Sequence, residues 1–179
     1  MRLLLLLFTS FLFLAAACTK ADDDTPTTPL DELPPATQVG ANTFGCLIDG
    51  VPFQNRGGGN FIQNISGSYV PLPDNRFTCI AYDYENLLAT RLINVVFKVD
   101  NVAIGVNKPR FDKPVAIKHT DNAETNYYTD STAYYRYEVT YFDSELNIAS
   151  GLIEATAVSS DKRDTIRITD GRFDVIYFE

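Results

Sequence analysis

Tryptophan is absent from the 179 residues, and histidine and methionine occur once each. The single histidine, His119, excludes a histidine-rich metal centre and leaves a histidine-based triad only one base. No Gly-x-Ser-x-Gly, Ser-x-x-Lys or His-Glu-x-x-His motif is present. Gly57-Gly58-Gly59 lacks a following lysine and hydroxyl pair, so it reads as a turn and not as a phosphate loop. Positive charge is also scarce. Against 23 acidic residues stand 15 lysines and arginines, for a net charge of −8. That balance argues against nucleic acid or anionic headgroups as the main partner. Long apolar runs are lacking too, except for one at the start of the chain.

That run has the order of a secretory leader. Arg2 supplies the positive end, Leu3 to Leu14 are interrupted only by Thr9 and Ser10, and Ala15-Ala16-Ala17 offer small side chains for cleavage. It is too short to span a bilayer, which takes about 20 apolar residues. Cys18 follows the alanines directly, in the manner of a bacterial lipoprotein signal, although Leu14 lies one place earlier than usual. The expectation is a signal peptide over residues 1–17 and a mature chain acylated, with palmitate-type lipid, on Cys18. The bland alternative is an ordinary leader cut after Ala17. Several acyl chains on one cysteine anchor stably where a single chain does not.

Residues 18–40 are rich in aspartate, threonine and proline and nearly free of large apolar groups. Such a stretch buries too little surface to offset its ordering entropy, so a disordered acidic tether is expected. Lys20-Ala21-Asp22-Asp23-Asp24 resembles the charged export signal that follows the acylated cysteine in surface-exposed lipoproteins of Bacteroidota. The resemblance implies an outer-membrane anchor with the protein facing the cell exterior.

Residues 41–179 have the composition of one globular domain and are long enough to bury a core. The pattern is β throughout. Tyr135, Tyr137, Val139 and Tyr141 alternate with Tyr134, Arg136, Glu138 and Thr140, and Ile93, Val95, Phe97 and Val99 alternate in the same way. Asp49-Gly50 joins Phe44–Ile48 to Val51–Gln54 as a hairpin turn, and Asp170-Gly171 is expected to do the same between Ile166–Ile168 and Phe173–Tyr177. Further strands are expected near 76–83, 102–106, 115–119 and 148–158. Glu85–Thr90 favours a short helical turn instead. The predicted fold is all-β, an antiparallel sandwich or small barrel, and the sequence does not choose between them.

The segment Asn42-Thr43-Phe44-Gly45-Cys46-Leu47-Ile48-Asp49-Gly50, preceded by Leu33-Pro34-Pro35-Ala36-Thr37, resembles the opening of a family of uncharacterised Bacteroidota surface lipoproteins. Ile168-Thr169-Asp170-Gly171-Arg172-Phe173-Asp174-Val175 resembles their closing hairpin. The two motifs bracket the domain. The resemblance implies a surface lipoprotein of unknown function and brings no active-site residues.

Four groups of side chains remain to be weighed. Cys46 and Cys79 form an even pair in an exported domain, which suits either a disulfide or two separate buried thiols. Asp83 with Glu85, and Glu138 with Asp143, are the carboxylate pairs a glycosidase-like hydrolase would use. Asp121, Asn122, Glu124, Asn126 and Asp130 crowd hard oxygen ligands into one stretch without the spacing of an EF-hand, so a solvated loop accounts for them. Tyr127, Tyr128 and Tyr134 offer a binding surface for a protein or glycan, since tyrosine stacks and hydrogen-bonds, although tyrosine is also simply a good strand residue. The lack of tryptophan weakens the glycan reading. The expectation is a membrane-anchored, non-enzymatic binding or envelope-complex module with no cofactor and no metal. A glycan-binding accessory protein and a carboxylate hydrolase are the alternatives.

Overall fold

The computed structural model of the protein describes residues 28–56, 64–83, 92–120 and 123–179. The leader, Cys18, Gly57-Gly58-Gly59, Glu85–Thr90, Asp121 and Asn122 lie outside the described residues. Among those described, every regular element is a strand, and there are eleven: β1 (Thr43–Ile48), β2 (Val51–Gln54), β3 (Ile65–Val70), β4 (Arg76–Tyr82), β5 (Leu92–Val99), β6 (Gly105–Asn107), β7 (Ala116–Thr120), β8 (Ala123–Thr129), β9 (Tyr135–Asp143), β10 (Ile148–Ser159) and β11 (Thr165–Phe178).

Two long strands organise the sheet. Along one edge, β11 pairs with β10 from Thr165 to Ile176; along the other it pairs first with β1 and then, through Tyr177 and Phe178, with β3. Likewise β10 pairs with β9 up to Ala155 and then with β8 through Ala157, Val158 and Ser159. The order β2-β1-β11-β10-β9-β6 therefore makes one layer and β3-β4-β5-β7-β8 the other, stitched together at β11–β3 and β10–β8. The circuit of hydrogen bonds closes on itself. The described strands form a closed barrel, their pairings antiparallel except for the short β11–β3 contact.

Alternation explains the core. In β4, Phe77, Cys79 and Ala81 point inward and are fully buried, while Thr78 and Ile80 between them are only partly covered. The ring of Phe77 lies at the centre of an aromatic cluster, with centroids 5.9 Å from Phe173, 6.0 Å from Phe142, 6.0 Å from Tyr177 and 6.1 Å from Phe97. Strand β9 departs from strict alternation. Its pairing with β10 shifts register between Ser150↔Tyr141 and Gly151↔Val139, which puts one extra residue into β9. The bulge turns Phe142 into the core and sends Tyr141 outward, where its hydroxyl donates to Asp143 Oδ2 at 2.9 Å. A one-residue slip swaps the face of every later side chain.

The closing hairpin is not formed. β11 runs unbroken through Asp170-Gly171, both of its edges already occupied by β1 and β10. A type I′ turn needs positive φ at both central residues. Asp49 and Gly50 meet that condition, with φ of 52° and 81°, and do make the β1–β2 turn. At the second site only Asp170 is left-handed, with φ of 54°, and the register against β1 and against β10 slips by one residue there. Asp170-Gly171 is a bulge. Close packing holds Gly171 in place, since a Cβ there would lie 2.4 Å from the Ile153 carbonyl oxygen.

Two further expectations change. Residues 123–129 form strand β8 and are not a loop, and β3 was not legible in the sequence at all. The part of the expected tether that is described, from Thr28 to Gly40, is not free but seated on the outer face of β1 and β11. Leu33 is buried, and Pro34 Cδ fills the space over Gly45, 2.4 Å from where a Cβ would be. Cys46 and Cys79 are separate free thiols, fully buried on β1 and β4 in opposite layers, so the disulfide is not formed. Burial raises both thiols well above the ordinary cysteine range and keeps them protonated and unreactive.

Candidate functional site

At one end of the barrel the two layers part. The β1–β2 turn brings Asp49, with Ile48 before it and Val51, Pro52 and Phe53 after it. Asp83 sits just past β4, Ala116 and Lys118 come from β7, Tyr127 from β8, and Asp164 and Ile166 from the start of β11. Together they line a cavity of about 530 Å³. Its floor is apolar because Ile48, Phe53, Ala116 and Ile166 are inward positions of alternating strands. Its rim is charged because strands end there and their polar turn residues reach water.

The rim is held by specific bonds. Tyr127 is 2% exposed, and its hydroxyl donates to Asp164 Oδ2 at 2.6 Å. Burial, and after it the bond to Asp164, pushes the Tyr127 phenol up to about 12, so it remains a proton donor across the physiological range. The other Asp164 oxygen accepts from Thr165 N at 2.9 Å, and Lys118 Nζ approaches Oδ2 to 4.0 Å. Asp49 Oδ1 accepts from Arg167 N at 2.8 Å. Asp83, almost fully buried, faces Arg56 at 3.8 Å. Such a concave, mostly apolar site with a few fixed polar groups is the usual form of a small-molecule pocket, and its volume falls within the typical range of about 300–1,000 Å³.

The three tyrosines do not form one surface. Tyr127 is buried under the mouth, and the neighbour that alternates with it, Tyr128, faces the opposite side of β8. There Tyr128 lines a shallow hollow of about 620 Å³ with Phe111, Val158 and Lys162. Tyr134 is 62% exposed, and its hydroxyl donates to Glu154 Oε2 at 2.5 Å. Tyr128 and Tyr134 both lie along the edge of β10 away from β11, opposite Val158 and Thr156 of its outward row.

Of the two carboxylate pairs, Glu138 and Asp143 do not converge, and Glu85 of the other lies outside the described residues. Glu138 is bonded to Arg136, at 2.5 Å. Asp143 caps its own turn through Glu145 N and Leu146 N, at 2.8 and 2.9 Å. Five residues of strand separate them, on the order of 16 Å at about 3.3 Å per residue. Glu124 and Asn126 pair with each other at 3.2 Å, and Asp130 accepts from Thr132 N at 2.8 Å. Among the described residues no three His, Cys, Asp or Glu side chains are grouped as metal ligands. His119 is on strand β7 and not in a loop, with Nε2 3.0 Å from Asn94 Nδ2.

A second polar centre escaped sequence reasoning. Asp174 is 1% exposed, yet among the described residues no cation faces it within 4 Å. Its carboxylate accepts five hydrogen bonds: from Thr37 Oγ1 at 2.6 Å, Ser150 Oγ at 2.8 Å, and the amides of Gly40, Val39 and Ala41 at 2.9, 3.0 and 3.1 Å. Burial works to raise this carboxyl group, but the bonds outweigh it and hold the group below the ordinary aspartate value. Asp174 is what fastens the N-terminal segment to the barrel. The residues of the mouth come from five separate stretches of chain, so no local spacing announced them. No family model, curated protein or solved structure matches this chain.

Proposed function

We propose that this chain is a lipid-anchored lipoprotein of the cell envelope, held at the outer membrane by acyl chains on Cys18 and facing the exterior. In this reading it is a non-enzymatic binding module whose ligand is a small molecule seated in the barrel mouth. One observation carries the binding reading: the cavity of about 530 Å³, apolar below and ringed by fixed polar groups. The leader, Cys18 and the acidic run after it support the anchor and the outward orientation. The resemblance of the opening and closing segments to Bacteroidota surface lipoproteins supports the same placement.

A second reading rests on Tyr128 and Tyr134. They stand outward one after the other along the same edge of β10, which suits capture of a glycan or protein by stacking. Mapping amide shifts of the protein against a set of small neutral fragments separates the two readings. The mouth predicts changes at Ile48, Phe53, Lys118 and Ile166; changes confined to Tyr128, Tyr134 and Val158 transfer the site to the tyrosine face. The anchor has its own test. A fatty-acid analogue fed to cells is expected to label the wild type and not Cys18→Ala, and protease added to intact cells is expected to shave the barrel from the wild type. Label on the substituted protein defeats the anchor, and full protection of the wild type defeats the outward orientation.

A further inference from the structure

Carboxylates on a surface are ordinary, and the three at the mouth would mean little without the apolar floor beneath them. The combination is informative. The cavity lining carries Asp49, Asp83 and Asp164 against a single ammonium, Lys118. The compensation is uneven. Asp83 has Arg56 beside it at 3.8 Å, and Lys118 reaches Asp164 only at the 4.0 Å limit of pairing. Asp49 has no cation within 4 Å among the described residues; its Oδ1 is taken by Arg167 N, and its Oδ2 has no protein partner there. Over a floor of Ile48, Phe53 and Ile166 this leaves negative charge with unused acceptor capacity at the opening.

Resting on the reading of the mouth as a ligand site, we propose that its ligand is a small amphipathic amine. The apolar body lies on Ile48, Phe53 and Ile166, and the ammonium is received at the rim by Asp49 and Asp164. An ammonium supplies three donors and one positive charge, which fits the open Oδ2 of Asp49 and the remaining lone pairs of Asp164. An anionic ligand would lose its hydration against three carboxylates with one lysine in return. A neutral ligand would use the floor and leave the rim idle. Bonds to ionised groups are roughly twice as strong as neutral ones, so the rim separates the amine from its neutral counterpart.

The test compares phenethylamine, 2-phenylethanol and phenylacetate, three probes with one apolar body and different charge, by titration of the purified full-length protein followed by amide shifts. Phenethylamine is expected to bind at least about tenfold more tightly than the alcohol, and phenylacetate most weakly. The double variant Asp49→Asn, Asp164→Asn keeps the acceptor oxygens that cap Arg167 N and Thr165 N. It is expected to bring the amine down to the affinity of the alcohol measured on the same variant. Added salt is expected to weaken only the amine. Equal affinity for amine and alcohol, tighter binding of the acid, or an amine affinity indifferent to the double variant overturns the amine assignment while shifts at Ile48 and Ile166 preserve the mouth. Failure of all three probes to shift these residues overturns the mouth reading itself, and the inference with it.

Discussion

Replacing Asp174 by alanine is expected to lower stability by about 3 kcal/mol and to free Thr28–Ala41 from the barrel. A hydrogen bond to a charged group contributes about 1.5–3 kcal/mol net, and a buried donor left without its partner costs about 1–3 kcal/mol. Asp174 takes five such bonds, three of them from consecutive backbone amides with no strand partner of their own. Not all five losses add, because the released amides turn to water once the segment lifts. Denaturant unfolding gives the stability, and hydrogen exchange at Val39, Gly40 and Ala41 shows the release. Exchange there as slow as in the wild type would sink this account of the docking.

The pH dependence follows with its sign. The carboxyl of Asp174 is lowered on folding, so its contribution is fully present above the unfolded value of about 3.9 and is lost as pH falls through the lower folded value. The difference between wild type and Asp174→Ala is therefore expected to be flat near neutrality and to shrink only in acid. A difference that grows in acid would contradict the assignment. For the proposed anchor on Cys18 the consequence is direct. Only residues 19–27 separate Cys18 from the docked segment, a reach of about 30 Å at full extension.

Phe77→Ala is expected to cost about 3–5 kcal/mol, a large part of the roughly 5–15 kcal/mol that holds a domain together. The ring is fully buried and meets Phe97 and Tyr177 edge-on and Phe173 in a stack. Its removal takes away the transfer free energy and also strands rings from both layers around a cavity. A fall in melting temperature on the order of 10 °C is the corresponding thermal signal. Phe77→Leu refills most of the volume and is expected to cost less than half as much. Equal losses for the two variants would show that the site collapses freely and that the cluster is not closely packed.

The fold was legible where one period governed a whole strand. β4, β5 and most of β10 read correctly because a core on one side imposes strict alternation, and Asp49-Gly50 read correctly because β11 takes only the far edge of β1 and leaves the edge facing β2 open. The tyrosine surface and the tether misled for one shared reason. Tyr127 and the segment around Leu33 are ordinary in sequence, and what holds them comes from distant parts of the chain: Asp164 for the first, Gly45 beneath Leu33 and Asp174 at Val39 for the second.

By itself the sequence determined the β periodicity, the turn at Asp49-Gly50 and the acidic balance, since each is a property of the residues themselves. Tertiary structure alone decided that Asp170-Gly171 bulges instead of turning, because β1 and β10 already occupy both edges of β11. It also decided between sandwich and barrel. β10 and β11 are long enough to cross from one layer to the other, and whether they use that length to pair with β8 and β3 is a matter of strand positions that no local pattern encodes.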